Sequence, residues 1–252
     1  MVAEQYFLPD DYQVNNEGEN VTFDIDEHYV EVSSYWSPQR IKQSLSYQAP
    51  IYKFISSRIS KHSLVVDIGC GVGSKLAEII GKKSTNLIGI DQPSAVEIAS
   101  QKYPEAKFVS ADFDDPGSWR ALEFSPSVII CSDVVEHLSK PEQLLRLIRY
   151  LASENTRIFI STPDRERVRG IANRCSPNKA HVREWSVNEF KKFVQFNGFS
   201  VVSVSHHLPY DIRRHGLLNT LRDFSRIIRL PGGSVRYNML FELRSTNGFV
   251  QK

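Results

Sequence analysis

The sequence predicts an α/β fold in which a mostly parallel seven-stranded sheet is covered by helices on both faces. From Leu64 onward, short apolar runs rich in β-branched residues alternate with stretches of helical periodicity, a pattern typical of a parallel sheet. The chain has 252 residues, 41% of them hydrophobic, which is enough to bury a full core without disulfides or metals. Cys70, Cys131 and Cys175 form neither a CxxC pair nor an even set, which indicates a reducing, cytoplasmic compartment.

The order of these runs along the chain favours a Rossmann-like, doubly wound topology. The predicted strands are Leu64–Ile68, Asn86–Asp91, Lys107–Val109, Val128–Ser132, Arg157–Ser161, Phe199–Ser205 and Arg236–Leu243. The predicted helices are Lys75–Ile80, Ser94–Lys102, Lys140–Leu151 and Val187–Asn197. Two pairs, Ser139 with Glu142 and Ser186 with Glu189, have the spacing of capping boxes, in which both side chains bond to exposed amides at a helix start.

The chain divides into an N-terminal arm and cap, residues 1–59, and a domain, residues 60–252, with insertions at 163–185 and 208–234. Nine acidic residues and no Lys or Arg precede Arg40, so the net charge of +2 separates into −9 before that residue and +11 after it. A solvated acidic arm is the preferred interpretation. The alternative is an arm that folds back onto a basic acceptor cleft.

A glycine-rich turn follows the first predicted strand of the domain, within Val65–Gly73. Gly69, Gly71 and Gly73 let the backbone approach a ligand closely and adopt positive φ. Their GxGxG spacing differs from the GxGxxG of dinucleotide-binding loops. Asp67 at the strand end is unfavourable beside a pyrophosphate, but it attracts a ligand that carries an ammonium group and a sulfonium.

Two further acidic residues follow the next two predicted strands. Asp91 lies twenty-two residues after Gly69, and its carboxylate can accept both hydroxyls of a ribose. At Asp112 and Phe113 a carboxylate can accept an adenine amino group beside an aromatic face. Because the carboxyl ends of parallel strands meet at one edge of the sheet, we expect Asp67, Asp91 and Asp112 to line one ligand site.

These motifs resemble those of the class I S-adenosylmethionine-dependent methyltransferases over about residues 60–205. In this chain they read VVDIGCGVG, IGID, SADF and VIICSDVVEHL. The resemblance implies S-adenosyl-L-methionine as cofactor and S-adenosyl-L-homocysteine as product. The residues that it places around the cofactor are Asp67, Gly69, Cys70, Gly71, Gly73, Asp91, Gln92, Asp112, Phe113 and Ser132. The structural alternative is that Asp67 caps a turn and Asp112 a helix.

Methyl transfer needs an acceptor lone pair in line with the sulfonium methyl, so positioning of two bound molecules supplies much of the catalysis. A base is required only where the acceptor loses a proton, and histidine accepts a proton at cellular pH. The catalytic candidates are His181 in the first insertion, and His137 together with Asp133 after the fourth strand. His181 is preferred because its insertion begins at the carboxyl edge of the sheet, where a segment that covers the acceptor is expected. His137 equally fits an orienting role.

A metal-assisted variant follows from Asp133, Glu136 and His137, which resemble the acidic-histidine segment of the ubiquinone-pathway O-methyltransferases. A divalent cation can sit in that segment, and hard carboxylate ligands suit magnesium. Metal-free chemistry is preferred and no metal ligand is assigned, because the three residues equally fit a turn that enters a helix.

A second resemblance is to a subgroup of bacterial methyltransferases associated with surface-polysaccharide and other glycan synthesis. It is carried by Thr162, Pro163, Arg165, Gly170, Asn178, His181–Trp185, Glu189 and Phe190. It implies methylation of a sugar hydroxyl on a glycan, a lipid-linked intermediate or a nucleotide sugar. The basic residues that would then bind acidic groups of the acceptor are Arg165, Arg167, Arg169, Arg174, Lys179 and Arg183. A solvated surface loop is the alternative.

Two other function classes are weighed against an enzyme that methylates oxygen. An NAD-dependent oxidoreductase shares the fold and Asp91, but favours GxGxxG. A non-catalytic cofactor-binding module would bind the cofactor without turnover. No nucleic acid partner is expected, because the basic residues are not interleaved with stacking aromatics and no Asn-Pro-Pro-Tyr or Asp-Pro-Pro-Tyr motif follows the fourth strand.

The second insertion contains an amphipathic helix pattern within residues 213–229. Leu217, Leu221, Phe224 and Ile228 recur at helical spacing beside five arginines. The preferred interpretation is that this stripe packs on the domain or on a second subunit of a homodimer. The alternative is peripheral contact with an anionic membrane surface. A soluble protein is expected in either case, since residues 1–10 lack a secretory signal pattern and no run approaches the roughly 20 apolar residues of a membrane span.

Overall fold

The computed structural model describes residues 5–15, 22–23, 29–30, 36–228 and 233–246. Two short antiparallel strands, β1 (Thr22–Phe23) and β2 (Tyr29–Val30), pair with each other. Seven more strands form the main sheet: β3 (Val65–Ile68), β4 (Leu87–Asp91), β5 (Lys107–Ser110), β6 (Val128–Ser132), β7 (Arg157–Pro163), β8 (Phe199–His207) and β9 (Asn238–Ser245). All seven predicted strands are confirmed, with ends that differ by up to two residues.

The sheet has the order β5-β4-β3-β6-β7-β9-β8. The first five strands in this order are parallel, and β9 is antiparallel to both of its neighbours. Chain order reverses between β3 and β6, and open α/β sheets bind ligands at such a switch point, beyond the carboxyl ends of the strands. The mostly parallel, Rossmann-like sheet predicted from the sequence is confirmed.

Helices cover both faces of this sheet. The α-helices are α1 (Pro38–Ser44), α2 (Ala49–Ser56), α3 (Pro93–Lys102), α4 (Pro116–Trp119), α5 (Pro141–Leu151), α6 (Arg165–Arg169), α7 (Val187–Phe196), α8 (Ile212–His215) and α9 (Leu217–Ile228). A π-helical segment, Leu76–Ile80, occupies the position of the first predicted helix. In the described part of the chain no helix is both long and apolar enough to cross a membrane.

One of the two predicted capping boxes forms. At the start of α7, Ser186 accepts from the amide of Glu189, whose side chain accepts from the amide of Ser186. The prediction of a capping box at the start of α5 is wrong. That helix begins after Lys140 without a side-chain cap, and the hydroxyl of Ser139 donates to Asp114 instead.

The two faces of the sheet pack against different helices because successive side chains of a strand point to opposite faces. Val66 and Ile68 pack in the larger buried cluster, which contains the apolar faces of α5 and α7. Val65 belongs to a second cluster with Tyr52 of α2 and the π-helical segment. Strand β3, which leads into the glycine turn, is therefore packed against both helical layers through alternate residues.

The preferred interpretation of a solvated N-terminal arm is wrong for residues 5–15. Tyr6, Leu8 and Tyr12 are buried in the larger core cluster, and the indole Nε1 of Trp185 donates to the carbonyl of Tyr6 over 3.0 Å. Burial of three apolar side chains outweighs solvation of the neighbouring acids. The remainder of the acidic stretch, apart from residues 22–23 and 29–30, lies outside the described residues before position 36.

Candidate active site

The glycine turn lies at the carboxyl end of β3, as the sequence predicts. Gly69, Gly71 and Gly73 have φ values of 77°, 56° and 73°, which other residues rarely adopt. A side chain at Gly69 would also overlap Val134, and one at Gly73 would overlap Phe108. The turn therefore depends on glycine for both conformation and space. The amides of Gly69 and Cys70 donate to the carbonyl of Ile90, which fastens the turn to β4 at the switch point.

Asp67 lies beneath this turn, fully buried at the end of β3. The hydroxyl of Tyr52 is 2.9 Å from both of its carboxylate oxygens. Burial raises the pKa of Asp67 to about 7, although the charge of Lys75 and the Tyr52 hydrogen bond act in the opposite direction. Burial likewise lowers the pKa of Lys75 and raises that of the Cys70 thiol. Asp67 is thus poised to gain a negative charge near neutral pH, where a bound ammonium group would stabilise it.

Asp91 connects the second strand of the site to the glycine turn. Its two carboxylate oxygens accept the backbone amides of Gly71, at 2.7 Å, and Gln92, at 2.8 Å. Burial raises the pKa of Asp91, while these two amides act to lower it. Each carboxylate oxygen has a second lone pair, so the residue is oriented by the protein and can still accept hydroxyls of a ligand.

The third acidic position differs from the first two. Asp112 is exposed after β5, and its Oδ1 accepts the amide of Asp114 over 2.9 Å. Phe113 is 9% exposed and belongs to the core cluster, so little of its ring is available to stack on an adenine. A turn-capping role for Asp112 is shown here, and the predicted adenine contact of both residues stays a prediction.

Asp133 follows β6 and is held by three neighbours. Gln48 donates to its Oδ2 over 2.6 Å, and Ser161 donates to its Oδ1 over 3.3 Å. Asn238 of β9 lies 3.4 Å from Oδ2. The backbone of Asp133 has φ 53°, a value that is unfavourable for residues other than glycine. The hydrogen bonds to its carboxylate offset this conformational cost. Ser132 pairs its hydroxyl with that of Ser161 at 2.7 Å.

The two candidate histidines come together with Glu136. The rings of His137 and His181 are 4.7 Å apart between centroids, in an edge-to-face arrangement. One ligating atom from each of Glu136, His137 and His181 lies within 4.8 Å of the others. Sequence reasoning treated the two histidines as separate candidates, whereas the structure joins them in a single cluster.

Hydrogen bonds fix the orientation of both rings. Nδ1 of His137 lies 2.7 Å from the carbonyl of Ala180, and Nδ1 of His181 lies 2.6 Å from Oε1 of Glu184. Since both partners are acceptors, each Nδ1 carries a proton, and the Nε2 atom of a neutral ring then keeps a lone pair. Burial and the neighbouring His181 lower the pKa of His137 to about 3, so His137 is neutral across the physiological range.

Glu136 is the unusual member of the cluster. It is fully buried, and Thr162 donates to its Oε2 over 3.0 Å, but its Oε1 has no hydrogen-bond partner among the described residues. Burial and the charge of Asp133 raise its pKa well above the ordinary value. A buried oxygen without a partner is costly unless a ligand fills the position. Two imidazole Nε2 atoms and a carboxylate oxygen fit a divalent cation of the zinc or manganese type.

Glu184 is hydrogen-bonded to the His181 ring and is itself held by other side chains. Its carboxylate accepts two bonds from Arg169, at 3.0 and 3.1 Å, and one from Ser176 at 2.8 Å. Burial acts to raise the pKa of Glu184, but His181 and Arg169 together hold it well below the ordinary value. The carboxylate is therefore ionised and can stabilise a positive charge on the His181 ring.

The N-terminal segment holds the loop that carries His181. Asn15 Nδ2 donates to the carbonyls of Ser176, Asn178 and His181 at 2.9 to 3.2 Å. The hydroxyl of Tyr12 accepts the amide of Glu184. The first insertion is thus fastened between the sheet and residues 5–15.

The basic residues of the first insertion are largely used inside the protein, contrary to the expectation that they bind an acidic acceptor. Arg165 pairs with Glu189, Arg169 with Glu184, Arg174 with Asp11 and Arg167 with Asp164. Arg183 donates to the carbonyls of Leu138 and Ser139 and lies over the Tyr6 ring. Most of these cations balance buried or neighbouring acids, so they fasten the insertion to the domain.

Sequence reasoning missed several side chains of this site. Gln48 and Tyr52 belong to the region treated as a cap, and their contacts with Asp133 and Asp67 join residues far apart in the chain. Glu184 lies within the motif His181–Trp185, to which the sequence assigns no separate role. Its position three residues after His181 is the one local signal that could have revealed the pair.

Comparison with known proteins agrees with the fold and the glycine turn. A family model described as a methyltransferase domain matches residues 26–204, more than half of the chain. The protein belongs to this family of methyltransferases. The predicted class and its cofactor, S-adenosylmethionine, are thereby confirmed, and the oxidoreductase alternative is set aside.

Two curated relatives share part of the chain. The ubiquinone biosynthesis O-methyltransferase of Pseudomonas aeruginosa strain UCBPP-PA14 is 28% identical over 104 residues, which are 40% of this chain and 44% of that protein. The protein of the same description from Xylella fastidiosa strain M23 is 26% identical over 139 residues, or 53% and 56% of the two chains. The chain thus spans about half the length of the curated relatives it matches. The resemblance to glycan-modifying enzymes is not confirmed by these matches.

Solved structures show the same fold. A chain from the complex between the Haloferax volcanii Trm112 methyltransferase activator and the putative methyltransferase superposes with a TM-score of 0.60 at 16% identity, covering 86% of this chain and 96% of that chain. The magnesium protoporphyrin IX methyltransferase of Synechocystis PCC 6803 with bound SAM gives 0.51 at 16% identity, covering 86% and 85%. At these identities the likeness establishes the fold.

Proposed function

We propose that this protein transfers a methyl group from S-adenosylmethionine to a hydroxyl oxygen of a small-molecule or glycan acceptor. The observation that carries the proposal is the cluster of Glu136, His137 and His181 at the carboxyl edge of the sheet, beside the glycine turn. Polar groups that bind or deprotonate a hydroxyl are expected at this position in an O-methyltransferase. The names of the curated relatives agree with transfer to oxygen.

In this mechanism the glycine turn would hold the methionine portion of the cofactor, and Asp67 would attract its ammonium group. Asp91 accepts the ribose hydroxyls, since its carboxylate is already oriented by Gly71 and Gln92. The acceptor oxygen forms a bond to the methyl carbon as the bond from that carbon to sulfur breaks. The hydroxyl proton passes to Nε2 of His181, and Glu184 stabilises the imidazolium.

A cation-assisted version of the same reaction is favoured by one observation, the unpartnered Oε1 of Glu136. Glu136, His137 and His181 would hold the cation, with Ala180 and Glu184 orienting the two rings from behind. Such an ion would lower the pKa of the acceptor hydroxyl. His181 then acts as a ligand and not as the base, so the two versions differ in their response to chelation.

The experiment is a methyl-transfer assay with a panel of sugar and phenolic hydroxyl acceptors, following release of S-adenosylhomocysteine. Turnover on any hydroxyl acceptor supports the proposal, whereas cofactor binding without turnover across the panel supports a non-catalytic binding module. Each reaction is repeated after dialysis against EDTA. Activity that survives chelation assigns proton transfer to His181, and activity restored only by Zn²⁺ or Mn²⁺ assigns the cation-assisted version.

The melting temperature distinguishes the metal-free version from the cation-assisted one without a turnover assay. If the cluster binds a cation, Zn²⁺ or Mn²⁺ raises the melting temperature of the wild-type protein, because a ligand that binds only the folded state stabilises it. The Glu136→Gln variant should lose this increase. Asp115→Asn is a matched control, because Asp115 is an exposed acid that caps α4.

A further inference from the structure

Helix α9 presents large apolar side chains to the outside. The four that are 55% to 83% exposed are Leu217, Leu218, Leu221 and Ile228. On the inner side Thr220 is buried, and Phe224 stacks on Tyr210 with ring centroids 6.5 Å apart. Packing of the predicted stripe on the domain is therefore confirmed for Phe224 and wrong for its other three members. Exposed apolar side chains this close together mark an interaction surface.

The same segment is strongly basic. Residues 213–229 contain five arginines, and Asp223 is their single acid. Arg213 and Arg222 are exposed at either side of the leucines. An exposed apolar helix face in an arginine-rich segment is the composition that binds at the interface of an anionic bilayer. Each basic residue near such a surface adds attraction, and the leucines add insertion.

We propose that α9 lies on the surface of an anionic membrane, with the three leucines inserted among the headgroups. A second copy of the chain fits this face less well, because a two-fold contact would bring the exposed Arg213 and Arg222 of both copies toward one another. An anionic lipid surface supplies the opposite charge over the whole length of the helix. The proposal concerns binding and does not depend on the methyl-transfer reaction.

The helix lies near the candidate active site. Strand β8 ends at the carboxyl edge of the sheet, and the chain then passes Pro209, whose carbonyl accepts the amide of Gln48. The side chain of Gln48 in turn donates to Asp133. A membrane under α9 would therefore adjoin the edge that holds the cluster. Membrane binding itself is independent of methyl transfer; only its extension to acceptors that reside in the membrane rests on the proposed function.

The test is sedimentation with vesicles of phosphatidylcholine alone and of phosphatidylcholine with phosphatidylglycerol, without cofactor or acceptor. We expect binding to the anionic vesicles at low salt, weak binding to the neutral ones, and release at high salt because screening weakens the electrostatic part. The triple variant Leu217→Ser, Leu218→Ser, Leu221→Ser should lower the partition coefficient by about tenfold or more, since each leucine loses its insertion free energy.

A double variant, Ile171→Ser with Val202→Ser, is the matched control, because these side chains are 63% and 55% exposed elsewhere on the protein. It should bind vesicles as the wild type does, and both variants should keep the wild-type melting temperature. Wild-type protein that stays in the supernatant with anionic vesicles overturns the proposal. Equal binding by the leucine variant removes α9 from the contact. A wild-type dimer that the leucine variant dissociates, without vesicle binding, assigns the face to a second copy.

Discussion

Replacing His181 with alanine removes an imidazole nitrogen that lies within 4.8 Å of the ligating atoms of Glu136 and His137. If this atom accepts the acceptor proton, turnover falls about 10²- to 10⁴-fold, which is about 2.7–5.4 kcal/mol of activation free energy at about 1.36 kcal/mol per tenfold. Cofactor affinity should change little, since the described partners of His181 are Glu184, Asn15 and His137, which lie outside the predicted cofactor site. The fold should persist, because Arg169 and Ser176 still donate to Glu184 and a lost hydrogen bond costs about 1–3 kcal/mol.

The assay combines initial rates at saturating cofactor with calorimetric titration of S-adenosylmethionine into the same preparations. His62→Ala is the control, because this exposed histidine precedes β3 at the opposite edge of the sheet. A His181→Ala protein that keeps turnover within about threefold of the wild type, while His137→Ala loses it, would refute the assignment of the proton to His181.

Three further predictions concern the cofactor site and the N-terminal segment. Asp91→Asn should weaken S-adenosylmethionine binding by about 1.5–3 kcal/mol in calorimetry, because charged acceptors of the ribose hydroxyls are lost; unchanged affinity would remove Asp91 from the site. Because the pKa of Asp67 is raised to about 7, the carboxyl must lose a proton to bind an ammonium group, so affinity should rise as the pH increases toward 7 and level off above it. Asp67→Asn should flatten this profile, and a wild-type profile already flat between pH 5.5 and 8 would contradict the role. Asn15→Ala should lower the melting temperature and turnover together but spare cofactor affinity, since Asn15 bonds to the loop that carries His181; wild-type turnover would show that the loop needs no such support.

Local patterns were sufficient for the sheet and the glycine turn. The apolar run Val65–Ile68 is fully buried between two helical layers, and its length and composition identify a strand before any partner is known. The same holds for Gly69, where the required positive φ is a property of one residue. The sequence also predicts the position of Asp91. Its separation from the glycine turn along the chain is that of one helix and one strand, which together complete a single β-α-β unit.

Contacts between distant segments could not be predicted in this way. Gln48 meets Asp133 across eighty-five positions, and Asn15 meets His181 across more than one hundred and sixty. Nothing in the local sequence distinguishes either residue from an ordinary polar side chain. For the arginines of the first insertion the sequence leaves acceptor binding and a solvated surface loop as alternatives. It does not show that Arg174 pairs with Asp11 of the N-terminal segment or Arg165 with Glu189 of α7.

The capping box at α5 shows a related limit. Ser139 and Glu142 have the required spacing, but Ser139 donates to Asp114 and Tyr6 lies 3.2 Å from Oε2 of Glu142. Tertiary partners therefore replace the local pair. The box at α7 forms because Glu189 can bond to the amide of Ser186 and to Arg165 with different oxygens.

The most direct test of the account is a crystal structure of the protein with S-adenosylhomocysteine bound. The account predicts the ribose hydroxyls on Asp91, the amino group toward Asp67, and the sulfur facing an open space bounded by Glu136, His137 and His181. Binding of the nucleoside at another edge of the sheet, or a sulfur separated from these three residues by protein, would contradict it.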